Sequence, residues 1–111
     1  MGFLAEIANA PRRGLPPLHP GELLREQVLP ALGRSKVEVA QLLRVSRQTL
    51  YDVLDAKKSV TPQMALRIGK LVGNGPDLWM NLQKDWDLAI ARTEIAGDLE
   101  KIPTLEAAES A

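Results

Sequence analysis

Residues 37–54, VEVAQLLRVSRQTLYDVL, carry two apolar stripes at helical spacing, Val39, Ala40 and Leu43 and then Leu50, Val53 and Leu54, with a very short join between them. This is the length and spacing of a helix-turn-helix. Ala40 stands where the two helices touch, and its small side chain lets the second helix approach closely. Val45 adds an apolar residue at the turn. Ser46 is a good cap for the second helix. One position departs from the usual pattern, because the turn often carries a glycine and here it carries Arg44. A left-handed conformation at Arg44 would cost on the order of 1 kcal/mol.

The flanking segments read as helices as well. HPGELLREQVLPAL opens a helix at Pro20, where a missing N–H costs nothing, and closes it at or near Pro30. Ser35 to Glu38, SKVE, is a capping box for the helix that holds Ala40. The helix capped by Ser46 runs to about Asp55. Thr61-Pro62 caps a fourth helix, in which Met64, Ala65, Ile68, Leu71 and Val72 repeat at 3–4 spacing before Gly73. A turn at Asn74-Gly75-Pro76 leads into a fifth, from Asp77 to about Arg92. With one Phe and one Tyr in 111 residues, the core must be mostly Leu, Val, Ile and Ala. That composition favours helices over strands. The expectation is an all-α fold of five helices. A flexible N-terminal arm, residues 1–17, precedes a helix-turn-helix domain, residues 18–95, and an acidic tail, residues 96–111, follows it.

A net charge of zero conceals an asymmetry. Residues 34–70 hold eight basic and three acidic side chains, and residues 76–111 hold the reverse, three against eight. A basic middle points to a polyanion, and an acidic end to a different partner. Other classes find no support. The chain has no cysteine, and His19 is its single histidine, so neither a metal cluster nor a Cys-His pair can form. His19 is better suited to capping or packing against the first helix. Ser46 has no base near it in sequence, so no enzyme activity, cofactor or metal is expected. RNA binding lacks the interleaved aromatics of a stacking platform. No signal peptide, myristoylation pattern or apolar run of membrane-spanning length is present, so a cytosolic protein without a membrane partner is expected.

At 100° per residue, Leu50, Val53 and Leu54 face the core from the third helix, and Gln48, Asp52 and Asp55 point the opposite way. Arg47, Thr49 and Tyr51 flank that outward strip. In helix-turn-helix docking this N-terminal end enters the major groove. Gln48 suits a bidentate contact with adenine, Arg47 one with guanine, and the Thr49 methyl can pack on a thymine methyl. Ser46 and Thr49 also reach phosphates. Ser35 and Lys36, at a helix start, offer free N–H groups and a positive dipole end to a phosphate. Lys57 and Lys58 lie where the backbone would pass, or are plain surface charge.

Four segments in linked order then give a wider match: HPGELL at 19–24, VSRQTLYDVL at 45–54, TPQMALRIGKLVG at 61–73 and DLWMNLQKDWDL at 77–88. Over about residues 18–95 the chain resembles the HigA-family antitoxins, relatives of phage-repressor-like DNA-binding proteins. The resemblance implies a compact helical protein, often dimeric. Such a protein binds and neutralises a cognate toxin, typically a ribosome-dependent messenger-RNA endonuclease, and represses their shared operon. It maps the DNA-reading segment onto Ser46, Arg47, Gln48, Thr49 and Tyr51. A stand-alone phage-type regulator without a toxin is the alternative that sequence does not separate.

A dimer is expected on separate grounds. Leu78, Trp79, Leu82, Trp86, Ala89 and Ile90 form one stripe along the fifth helix, longer than four short helices can cover. Leu82, Trp86 and Ile90 are the expected interface on a two-fold axis, which would suit palindromic operator DNA; Trp86 packed under the N-terminal helix is the competing arrangement. The acidic residues 76–111, or the apolar Phe3, Leu4 and Ile7 of the arm, are candidate toxin surfaces.

Overall fold

The computed structural model describes residues 16–108. Residues 1–15, most of the expected arm with Phe3, Leu4 and Ile7, lie outside the described residues. The described chain is all-helical. In the first helix, α1, the segments Pro20–Leu23, Leu24–Val28 and Leu29–Leu32 follow one another without a break. Its middle segment is a π-helical turn, in which the Leu29 N–H reaches the Leu24 carbonyl five residues back. Pro30 explains that turn: a proline inside a regular helix lacks an N–H and clashes with the carbonyl four residues earlier, and a wider turn relieves both faults. The helix therefore continues past Pro30 to Leu32, and left-handed Gly33 (φ 66°) ends it.

Three helices then begin on the side-chain caps the sequence announces. In α2 (Lys36–Leu43) the Ser35 hydroxyl accepts the Glu38 N–H at 3.1 Å. The Glu38 carboxylate turns to Arg34, so that cap is one-sided. In α3 (Arg47–Leu54) Ser46 accepts the Thr49 N–H at 3.0 Å. In α4 (Pro62–Val72) Thr61 accepts the Met64 N–H at 3.1 Å. The fifth helix, α5 (Asp77–Glu94), is followed by a sixth, α6 (Ala96–Lys101), where a loose acidic tail was expected. Ile95 interrupts α5 at φ −114° and ψ 20°. Ala96, Leu99, Glu100 and Lys101 are strong enough helix formers to restart the helix despite Gly97.

The core gathers one face from each of the first five helices around the fully buried Leu50, Ala65 and Trp79. Two contacts position α3 in it. The first turn of α1 lies so close to the end of α3 that a Cβ on Gly21 would fall 1.8 Å from the Val53 carbonyl oxygen. One turn on, Arg25 donates to the Leu54 carbonyl at 3.1 Å. The loop after α3 is fixed from the other side. There the Val60 N–H donates to the buried Gln83 Oε1 of α5 at 2.7 Å, and Gln83 Nε2 donates to Asp87 at 2.9 Å.

His19 joins these elements. Its Nδ1 accepts the Gly21 N–H at 2.9 Å and caps α1. Its ring meets Trp86 of α5 edge to face, with centroids 5.4 Å apart. Only 3% of His19 is exposed. Burial holds its pKa below the ordinary value of 6.5, against the opposing pull of Asp87, Glu22 and a backbone hydrogen bond at Lys58. The folded chain therefore takes up this proton less readily than the unfolded chain.

Two outcomes follow from this packing. Gly21→Ala forces α1 away from α3, and the midpoint of urea unfolding should fall by the equivalent of about 1–3 kcal/mol. For His19, stability is complete above about pH 6.5 and declines as the pH falls below it, because the unfolded state is protonated first. The melting temperature should fall between about pH 7 and pH 5.5. That slope should flatten in His19→Asn, whose side-chain oxygen can still cap the helix; an equal slope in both proteins would assign it to other groups.

Candidate nucleic-acid interface

Buried Val39, Ala40 and Leu43 on α2 and Leu50, Val53 and Leu54 on α3 bring the two helices together as the apolar frame requires. Arg44, in the turn between them, adopts the left-handed conformation (φ 62°, ψ 42°). Its N–H returns to Gln41 at 3.0 Å, and the Val45 N–H returns to Ala40 at 3.1 Å. The last carbonyls of α2 have a further partner: Arg67 of α4 donates to Leu43 at 2.8 Å and to Arg44 at 3.5 Å. Each helix of the pair thus has its open carbonyl end met by a guanidinium from another helix, Arg67 for α2 and Arg25 for α3. These contacts satisfy groups that a helix end leaves without an internal partner. Sequence reasoning did not identify either arginine, since apolar spacing carries no sign of a side chain that reaches back to a distant backbone oxygen.

Arg47 and Gln48 lie exposed on the outward side of α3. Gln48 Nε2 donates to Asp52 Oδ1 at 2.8 Å, and Lys58 Nζ lies 3.5 Å from Asp52 Oδ2. The row Gln48, Asp52, Lys58 is therefore already ordered. Thr49 is half-buried, and its Oγ1 receives the Ser46 hydroxyl at 2.8 Å, so its methyl is the part left for an apolar contact. Tyr51 is half-buried too. Its ring packs against the core, and Lys36 Nζ lies 5.9 Å from its centroid. Tyr51 follows Leu50 by 100° around the helix, on the same side as Arg47 and Gln48, and its ring lies beside Lys36 at the start of α2.

Ser35 and Lys36 are exposed at the start of α2, beside a hollow of about 320 Å³ that Lys36 shares with Tyr51, Leu54 and Asp55. Past α3, left-handed Ala56 (φ 58°) folds the chain back. The Lys57 and Lys58 N–H groups both donate to the Asp52 carbonyl, at 2.8 and 3.1 Å, which leaves their exposed side chains as the outward groups.

The expected dimer residues separate into three environments. Leu82 is 3% exposed and belongs to the core of its own chain, so it is not available to a partner. The four helices before α5 cover more of the stripe than the sequence count allowed. Trp86 is half-buried against His19, and Ile90 is 45% exposed. Around these two, Pro17, Ala89, Thr93 and Glu94 complete an open, largely apolar groove of about 310 Å³. Among the described residues no group of three His, Asp or Glu side chains is placed to hold a metal, and no helix is long and apolar enough to cross a membrane.

No protein-family model matches the chain. An uncharacterised helix-turn-helix-type transcriptional regulator of Escherichia coli, YddM, is 32% identical over 90 residues, which is 81% of this chain and 87% of the relative. Among solved structures, the Pseudomonas aeruginosa antitoxin HigA with the higBA promoter superposes with a TM-score of 0.76 at 33% identity, over 82% of this chain and all of that one. The antitoxin GraA in complex with its operator does so with a TM-score of 0.76 at 31% identity, over 88% of this chain and all of that one. YddM is a helix-turn-helix-type transcriptional regulator, and both antitoxins were solved with promoter or operator DNA. On the shared helix order, the turn at Arg44 and the extent of these matches, the chain belongs to the HigA family of helix-turn-helix antitoxins.

Proposed function

We propose that this protein is the antitoxin of a toxin-antitoxin module, which binds a cognate messenger-RNA endonuclease directly and represses its own operon by reading operator DNA. The observation that carries the DNA-binding part is α3 itself: a helix capped by Ser46 and anchored by buried Leu50, with Arg47 and Gln48 exposed at its entry end. Family members solved with promoter or operator DNA support the same reading. In this reading Arg47 contacts guanine, Gln48 contacts adenine and the Thr49 methyl packs on thymine. Tyr51, tucked beside Lys36, contributes at the edge of that surface. Ser35, Lys36, Ser46, Lys57 and Lys58 contact phosphates on either side.

Two copies meeting along α5 at Trp86 and Ile90 would set their α3 helices about 34 Å apart on a palindromic operator. The open apolar groove beside Trp86 supports this assignment. The toxin surface is assigned to the acidic residues 76–111, because a nuclease that holds RNA needs positive charge. Co-purification with the product of the adjacent gene tests the toxin assignment; a chain that retains operator binding but captures no neighbour would be a stand-alone regulator.

Arg47→Ala should cost about 1–3 kcal/mol on the operator and relax preference at one base pair, whereas Lys57→Ala should weaken all sequences alike and flatten the salt slope by about one unit. Equal effects of both on operator and random duplex would remove the assignment of Arg47 to a base. Ile90→Glu should shift micromolar protein from dimer to monomer in sedimentation while leaving the helical signal unchanged; a persistent dimer would place the interface elsewhere.

A further inference from the structure

The ends of α2 and α4 enclose a second groove, of about 380 Å³, lined by Leu42, Leu43, Arg44, Arg67, Lys70 and Leu71. Leu42 is 49% exposed at its edge. Arg44, Arg67 and Lys70 supply three positive charges, and no carboxylate pairs with them among the described residues. Lys36 and Ser35, the residues of α2 assigned to phosphate, sit at the opposite end of that helix. The groove is thus an apolar floor with a basic rim, and at Arg44 it reaches the turn that leads into α3.

The chain also carries a segment of the complementary kind. In residues 94–108, EIAGDLEKIPTLEAA, Ile95, Leu99, Ile102 and Leu105 recur at intervals of three or four, and Glu94, Asp98, Glu100 and Glu106 outnumber Lys101. The whole segment is exposed: Ile102 is 63% and Leu105 84% accessible. Apolar side chains left in water at this density mark a surface that binds something.

We propose that the groove between α2 and α4 receives this acidic, apolar C-terminal segment from a second copy of the chain. The geometry assigns it to another copy. α5 begins just after the end of α4, beside the groove, and its 18 residues carry the segment about 27 Å away. A chain cannot bring its own α6 back without breaking that helix. The contact would be heterologous, segment to groove, unlike the two-fold pairing along α5, so it can link one dimer to the next. Leucine and isoleucine anchors supply the affinity, and the opposed charges supply orientation and a faster encounter.

A fluorescently labelled peptide of residues 94–108, titrated with the full-length chain and followed by anisotropy, tests this directly. Saturable binding that weakens with added salt is the expected result. Leu42→Glu and Lys70→Glu in the protein, both at exposed positions and checked for helical content, should each weaken it about tenfold or more, which corresponds to about 1.4 kcal/mol. A peptide carrying Glu94→Gln, Asp98→Asn, Glu100→Gln and Glu106→Gln should lose most of its binding, a readout independent of any change to the protein. Absence of saturable binding, or binding indifferent to Leu42→Glu and to the peptide's charge, would overturn the proposal. So would displacement of the peptide by operator duplex, which would make the groove part of the nucleic-acid surface.

Discussion

The close contact between Gly21 and the Val53 carbonyl determines where α3 can lie, and most of what the molecule presents to a partner depends on it. No side chain larger than hydrogen fits there, so the first turn of α1 rests directly on the closing turn of α3. That approach brings Arg25 within reach of the Leu54 carbonyl. At its other end α3 starts from the Ser46 cap, and between the two ends Leu50 is fully buried. A helix fixed at its cap, its middle and its last carbonyls has little freedom to roll. Arg47 and Gln48 therefore point outward as a property of the packing and not of their own conformational choice.

The same elements link the DNA-facing loop to α5. Val60 ends the segment that carries Lys57 and Lys58, and its N–H donates to buried Gln83. Gln83 donates in turn to Asp87, whose charge acts on His19, and His19 caps α1 while its ring rests on Trp86. A displacement of α5 at Trp86 thus has a continuous polar and aromatic path to both the cap of α1 and the loop after α3. The buried amide of Gln83 has its acceptor and a donor satisfied, so the path adds no unmet polar group to the core.

The helices were legible in the sequence because their starts depend on local chemistry. Ser35, Ser46 and Thr61 accept N–H groups three residues on, within their own segments, and Gly73 closes α4 in the left-handed conformation that only glycine adopts freely. At Arg44 the same local chemistry pointed the other way, since the left-handed conformation that this residue adopts is costly for any side chain but glycine's. What escaped sequence reading depends on partners distant in the chain. Arg67 and Leu43 are 24 residues apart, Arg25 and Leu54 are 29, and Val60 and Gln83 are 23. Leu82 belongs to the core because α5 packs more deeply than a count of apolar positions suggests. The π turn in α1 is an intermediate case: Pro30 signals a fault, but whether a helix stops or widens there depends on whether Leu29 has a core to enter.

Asp52 at first sight opposes a polyanion partner, yet its position in the row makes it useful. It holds one N–H of Gln48 and neutralises Lys58, at 2.8 and 3.5 Å. A glutamine amide has two N–H donors and one carbonyl acceptor. With one donor committed to Asp52, Gln48 keeps an N–H and its Oε1, the pair that a bidentate contact with the N7 and N6 edge of adenine uses. The carboxylate thus fixes the amide's direction without consuming what reads the base. Its charge is partly balanced by Lys58, so the net repulsion toward a phosphate is smaller than a lone aspartate would give. An ordered side chain loses less freedom on binding than a mobile one. On this argument Asp52 contributes by positioning Gln48, and its carboxylate is better understood as support for the outward edge of α3 than as an obstacle to it.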